Sequence, residues 1–72
     1  MKFTRKYTYT LVTEDGKYSI AKNHLTNSYY IKSKGKKLIK GNSLLSFGKQ
    51  KDAKAFVEKI YEEGIDDTFW WI

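Results

Sequence analysis

The 72-residue chain has no cysteine and no proline, and it holds one histidine and one methionine. Without cysteine there is neither a disulfide framework nor a thiolate metal ligand, and one histidine alone cannot complete a zinc site. No apolar run approaches the roughly 18 residues of a membrane span, and the N-terminal MKFTRKYTYT lacks the apolar stretch of a signal peptide. The expectation is a soluble, cytoplasmic chain with no membrane partner. Neither GxSxG nor GxxxxGK[ST] occurs, and His24 has no Cys or acid close to it in sequence. No nucleophile–base pair and no metal set can be assembled, so neither an enzyme nor a cofactor is expected. The acid pairs Glu62, Glu63 and Asp66, Asp67 lack the alternate-residue spacing of calcium loops and read as a solvated acidic surface. Internal repeats, low-complexity tracts and proline-rich linkers are also missing.

Aromatic rings stand in place of staples. A chain this short forms a single domain, residues 1–72, and buries only about 60% of the surface its unfolded form exposes. Six Tyr, four Phe and two Trp can each bury on the order of 150–250 Å² and fill a thin core.

Only KDAKAFVEKIYEE, residues 51–63, repeats its apolar residues at helical spacing. Ala53, Phe56, Val57 and Ile60 form one stripe that must lie on a sheet built from the residues before it. Within that sheet, KYTYTLVT alternates strictly, with Tyr7, Tyr9 and Leu11 on one side, and reads as one strand over residues 6–13. An Asp15-Gly16 turn of type I′ then pairs Thr13 with Tyr18, Leu11 with Ile20 and Tyr9 with Lys22. Tyr9, Leu11, Tyr18 and Ile20 thus form the core side. Leu25, the apolar residue of NHLTNS, is expected to tuck inward.

A third strand through YYIKSK turns at Lys34-Gly35 into KKLIKG. Ile31 and Leu38 then face the core, while Tyr30 faces Ile39 and Lys32 faces Lys37 on the open side. Like charges opposed across a ladder are destabilising, so folding gives no local reason for that pair. GNSLLSFGKQ can seal the end of the core, with a short extra strand at residues 43–47. Helix entry is weak because Lys49 replaces a capping Ser or Thr, whereas Gly64 suits helix exit. The expected architecture is α+β, an antiparallel sheet of three to five strands with one C-terminal helix packed on one face.

Charge divides along the chain. Residues 1–50 carry 11 Lys and Arg against 2 acids, and residues 51–72 carry 3 against 6, so a basic sheet joins an acidic helix and tail. That asymmetry suits an anionic partner on the sheet side. Lys32, Lys34, Lys36, Lys37 and Lys40 share one hairpin with Tyr30, and ammonium groups on strands can follow a phosphate backbone while a ring stacks on a base. Phe69, Trp70 and Trp71 precede the last residue, Ile72, and their large apolar surface is expected to be covered by the domain or by a partner. Adjacent Trp side chains in an extended tail point apart, so one is expected to be buried and one exposed. The leading expectation is non-enzymatic nucleic-acid binding through the basic hairpin. The alternative is a small inhibitor or adaptor that docks on an acidic surface of a partner protein through the basic sheet face or the Trp tail. The C-terminal aromatics also offer a homodimer contact.

Overall fold

The computed structural model describes residues 2–65 and 68–72; Asp66 and Asp67, of the acid pairs, lie outside them. In chain order the elements are β1 (Phe3–Tyr7), β2 (Thr10–Thr13), β3 (Ser19–Asn23), β4 (Ser28–Ser33), β5 (Lys36–Lys40), β6 (Ser43–Leu44), α1 (Gln50–Glu63) and β7 (Phe69–Trp71). The strands make one antiparallel sheet in the order β1-β2-β3-β4-β5-β6, with β7 also paired to β5. Among the described residues, seven strands replace the three to five expected, while the helix does lie on one face of the sheet, over β3 and β4.

Two of the additional strands come from segments read differently in sequence. KYTYTLVT is not one strand: it reverses at Thr8-Tyr9, where Tyr7 pairs with Thr10, and the register slips between Arg5 and Tyr7. Unbroken alternation hid this reversal, because a bulge absorbs the odd residue and neither turn residue is a Gly or Asn. Tyr9 therefore sits at the turn, 42% exposed, instead of in the core. Phe3, opposite Thr13, packs against the core in its place. The tail forms β7, with Trp71 opposite Leu38, Trp70 opposite Ile39 and Phe69 opposite Lys40. A β5 edge left open would strand backbone donors and acceptors, and three strong β-formers satisfy them.

The 43–47 segment enters the sheet as β6 and also packs Leu45 and Phe47 against the core, as its sequence led one to expect. Ile39 has Leu44 on one side and Trp70 on the other, so β6 and β7 occupy opposite edges of β5. Tyr29 and Phe47 exchange two backbone hydrogen bonds of 2.8 Å, and the Leu45 N–H donates to the Leu38 carbonyl at 3.2 Å. The segment is thus wedged where β4 and β5 part beyond the Lys32–Lys37 and Ser33–Lys36 pairs. The expected facing of Tyr30 and Ile39 gives way to this wedge.

Hairpin registers follow the alternation. Leu11 pairs with Ile20, and the Thr13 N–H donates to the Tyr18 carbonyl at 2.9 Å. The turn itself is not type I′, since Gly16 alone within it has positive φ, at 73°. The Gly16 N–H closes a turn on the Thr13 carbonyl at 2.8 Å instead. Lys34 (φ 53°) and Gly35 (φ 78°) both have the positive φ that a type I′ turn requires. Leu25 points out of the β3–β4 loop, 96% exposed. An Asx-turn explains it: the Leu25 N–H donates to Asn23 Oδ1 at 3.0 Å, and Asn27 (φ 59°) completes the reversal without inward room.

Leu11, Ile20, Ile31 and Leu38 of the sheet meet Ala53, Val57 and Ile60 of the helix in one buried cluster. Each fully buried aliphatic side chain contributes about 1.5–3 kcal/mol. Phe56 is half-buried between Phe47 and Phe69, with ring centroids at 5.5 and 5.4 Å. Lys49 precedes the helix in extended conformation and makes no side-chain cap, so the first-turn N–H groups lack that partner. Gly64 (φ 80°) ends the helix and donates to the Ile60 carbonyl at 2.9 Å.

Candidate functional site

Residues directly opposite one another in a sheet share a face, so the ladders assign every side chain of the hairpin to one side. One row runs Thr4, Val12, Ser19, Lys32, Lys37. It continues to Ile72, which exchanges two backbone hydrogen bonds with Lys37. A neighbouring row holds Ala21 beside Tyr30, and farther along it Leu44, Ile39 and Trp70. Both rows lie on the face away from the helix. Lys37 Nζ stands 5.5 Å from the Tyr30 ring centroid, within reach of a cation–π contact. Trp70 is 45% exposed and Ile72 67%. Ile39 is buried between Leu44 and Trp70, which makes that margin a firm apolar shelf.

The lysine hairpin is therefore not one patch. Lys32, Lys37 and Tyr30 lie on the open face, whereas Ser33 and Lys36 are paired on the helix face. Lys34 occupies the turn and joins Lys36 there, lining a depression with Lys17, Tyr18, Ser33 and Trp71. Lys40 lies at the other end of the helix face, its Nζ 5.7 Å from the Phe69 ring. The aromatic tail divides in the same manner. Trp71 and Phe69 pack against the core, and Trp71 stacks on Tyr18 at 5.8 Å and 25°. Trp70 alone of the three faces the open side.

Away from both surfaces, a polar knot joins the β2–β3 turn to the helix end. Tyr61 donates to Asp15 Oδ2 at 2.6 Å, while Asp15 Oδ1 accepts from Thr13 Oγ1 at 2.7 Å and from the Lys17 N–H at 2.9 Å. These hydrogen bonds, that from Tyr61 first, hold the Asp15 carboxyl down at about 2. Tyr61 is correspondingly raised, by desolvation and then by the carboxylate it serves. Buried Thr13 also accepts from the Tyr18 N–H at 3.1 Å. The knot is structural in character, because every polar atom in it already has a partner.

His24 is exposed and meets Tyr9 edge-on at 5.4 Å, and Lys22 Nζ lies 4.2 Å from the same ring. No cluster of three His, Cys, Asp or Glu side chains suited to a metal ion occurs among the described residues. No helix among them is long and apolar enough to cross a membrane.

Sequence reasoning missed Thr13 and Tyr61, whose partnership spans 48 positions, and it missed Ile72 and Leu44 on the open face. The only local signal for the last two was the period-2 phase of their segments. Comparison with protein-family models, curated proteins and solved structures found no match to this chain.

Proposed function

We propose that this protein binds single-stranded nucleic acid, without catalysis, across the open face of its sheet. The observation that supports this reading is the shared face of Tyr30, Lys32, Lys37 and Trp70, opposite the face on which the helix packs. Tyr30 and Trp70 offer two ring surfaces for unpaired bases, while Lys32 and Lys37 lie beside them for the phosphates. Stacking on such rings is worth about 1–3 kcal/mol per base and tolerates any sequence. The Lys32–Lys37 opposition costs stability in the free fold, and phosphate between the ammonium groups would relieve it.

Fluorescence anisotropy with a labelled homopolymeric single strand, over a series of salt concentrations, tests the reading. Affinity should fall steeply with salt, and Lys32→Gln with Lys37→Gln should flatten the slope by about 0.7 per lost contact. Duplex of the same length should bind more weakly, because its bases are already stacked. No binding at low salt, or equal affinity for wild type and the double variant, would remove the proposal.

A second reading rests on the exposure of Trp70 and Ile72 at one margin. Such an anchor beside lysines also suits an acidic protein surface, as an inhibitor or adaptor would use. Docking of that kind should persist at salt concentrations that abolish phosphate binding. Sedimentation of the protein alone separates it from self-association through the same two side chains.

A further inference from the structure

The β4–β5 turn explains the positive φ of Lys34 but not the choice of a lysine there. A type I′ turn favours Asn, Asp or Gly at its first central position, and a lysine at φ 53° is in a conformation its side chain disfavours. Residues held this way occur where their side chains have a task. Lys34 lines a depression of about 310 Å³ on the helix side of the sheet. Lys17 and Lys36 line it too, and among the described residues no acidic side chain does. Its volume is at the low end of the range for small-molecule sites.

One wall is aromatic. Trp71 and Tyr18 both line the depression and stack on one another, and Tyr61 meets Tyr18 edge-on at 5.3 Å and 86°. The rings are thus fixed from behind, and little ordering remains to be done on binding. Ser33 Oγ donates to the Lys17 carbonyl at 2.9 Å and holds the two turns together. Of the three lysines, Lys17 gives its backbone N–H to Asp15 Oδ1 at 2.9 Å, and Lys34 and Lys36 are exposed on the hairpin.

We infer that this depression is a binding site for an aromatic phosphomonoester, a nucleoside monophosphate either free or at the end of a strand, with Lys34 and Lys36 on the phosphate and the base on Trp71. Lysines bind phosphate as point charges, and a fixed indole adds a stacking surface for the ring. The depression lies on the other side of the sheet from Tyr30 and Trp70, so its occupancy is separable from that of the open face.

The test uses a Trp70→Phe protein, in which Trp71 is the sole indole and its fluorescence reports the depression alone. Adenosine monophosphate should quench it saturably, and adenosine or inorganic phosphate should bind at least about tenfold more weakly. Lys34→Asn with Lys36→Gln should weaken the nucleotide about tenfold or more, as loss of two charge-assisted contacts implies. Asn suits the turn, so this variant should melt no lower than its parent, which rules out unfolding as the cause. Lys2→Gln with Lys51→Gln removes the same charge elsewhere and should leave the titration unchanged. A short oligonucleotide with a 5′-phosphate, set against its 5′-hydroxyl form and the free nucleotide, identifies the source of the ligand. Equal affinity for nucleotide and nucleoside, or for nucleotide and phosphate, or an undiminished titration in the Lys34/Lys36 variant, would overturn the assignment.

Discussion

Tyr61, in the last turn of the helix, donates a 2.6 Å hydrogen bond to the carboxylate of Asp15 in the β2–β3 turn, 46 positions earlier. With Thr13 beneath it, this pair fixes the end of the helix to the sheet and holds the Asp15 carboxyl down at about 2, against an ordinary value of 3.8. A carboxyl lowered on folding adds stability above its unfolded value and loses it as pH falls through the folded one. Stability should therefore decline between about pH 4 and pH 2. In Tyr61→Phe the Asp15 resonance, followed by NMR, should titrate closer to 3.8. An unchanged titration would show that Thr13 and the Lys17 N–H suffice.

Phe56 joins the helix to two other rings at 5.5 and 5.4 Å. Its truncation to Ala should cost about 3 kcal/mol, toward the low end for a phenylalanine because the ring is only half-buried. In a domain with total stability of roughly 5–15 kcal/mol that is a large fraction. An unaltered thermal melt for Phe56→Ala would contradict the packing of helix on sheet.

Adjacent tryptophans should behave differently. Trp71→Ala removes a ring stacked on Tyr18 and packed against the core, and should lower stability by about 3 kcal/mol. Trp70→Ala should leave the melt within about 1 kcal/mol and weaken the proposed single-strand binding instead. Equal destabilisation by both, with no change in association, would make the tail core alone.

Helix entry leaves room for improvement. Lys49→Asp supplies the missing acceptor at the cap position and places a negative charge at the positive end of the helix dipole. A gain of about 1 kcal/mol is expected in chemical denaturation. A loss would mean that the extended backbone at Lys49 does not present its side chain to the first-turn N–H groups.

Lys37→Glu separates stability from function. It converts the like-charge pair with Lys32 into an attractive one, worth roughly 0.2–1 kcal/mol in the free fold. The same change should weaken single-strand binding. A variant that is both more stable and tighter-binding would contradict the assignment of Lys37 to phosphate.

Period and turn chemistry determined much of this molecule from sequence alone. The 3.6-residue spacing of Ala53, Val57 and Ile60 specified the helix and its buried stripe. The pairings of Leu11 with Ile20 and Lys32 with Lys37 followed from alternation on either side of EDGK and Lys34-Gly35. These depend on residues near in sequence, where the phase of side chains and the φ demands of a turn leave one register. Tertiary structure decided the rest: the reversal at Thr8-Tyr9, the wedge of residues 43–47 between β4 and β5, the capture of Phe69–Trp71 by the far edge of β5, and the bond from Tyr61 to Asp15. Each settles an unpaired backbone edge or a polar group against a partner distant in sequence, and local pattern carries no information about which distant segment arrives. The same pairing that fixes each hairpin also divides its lysines between two faces, because adjacent residues of a strand point to opposite sides.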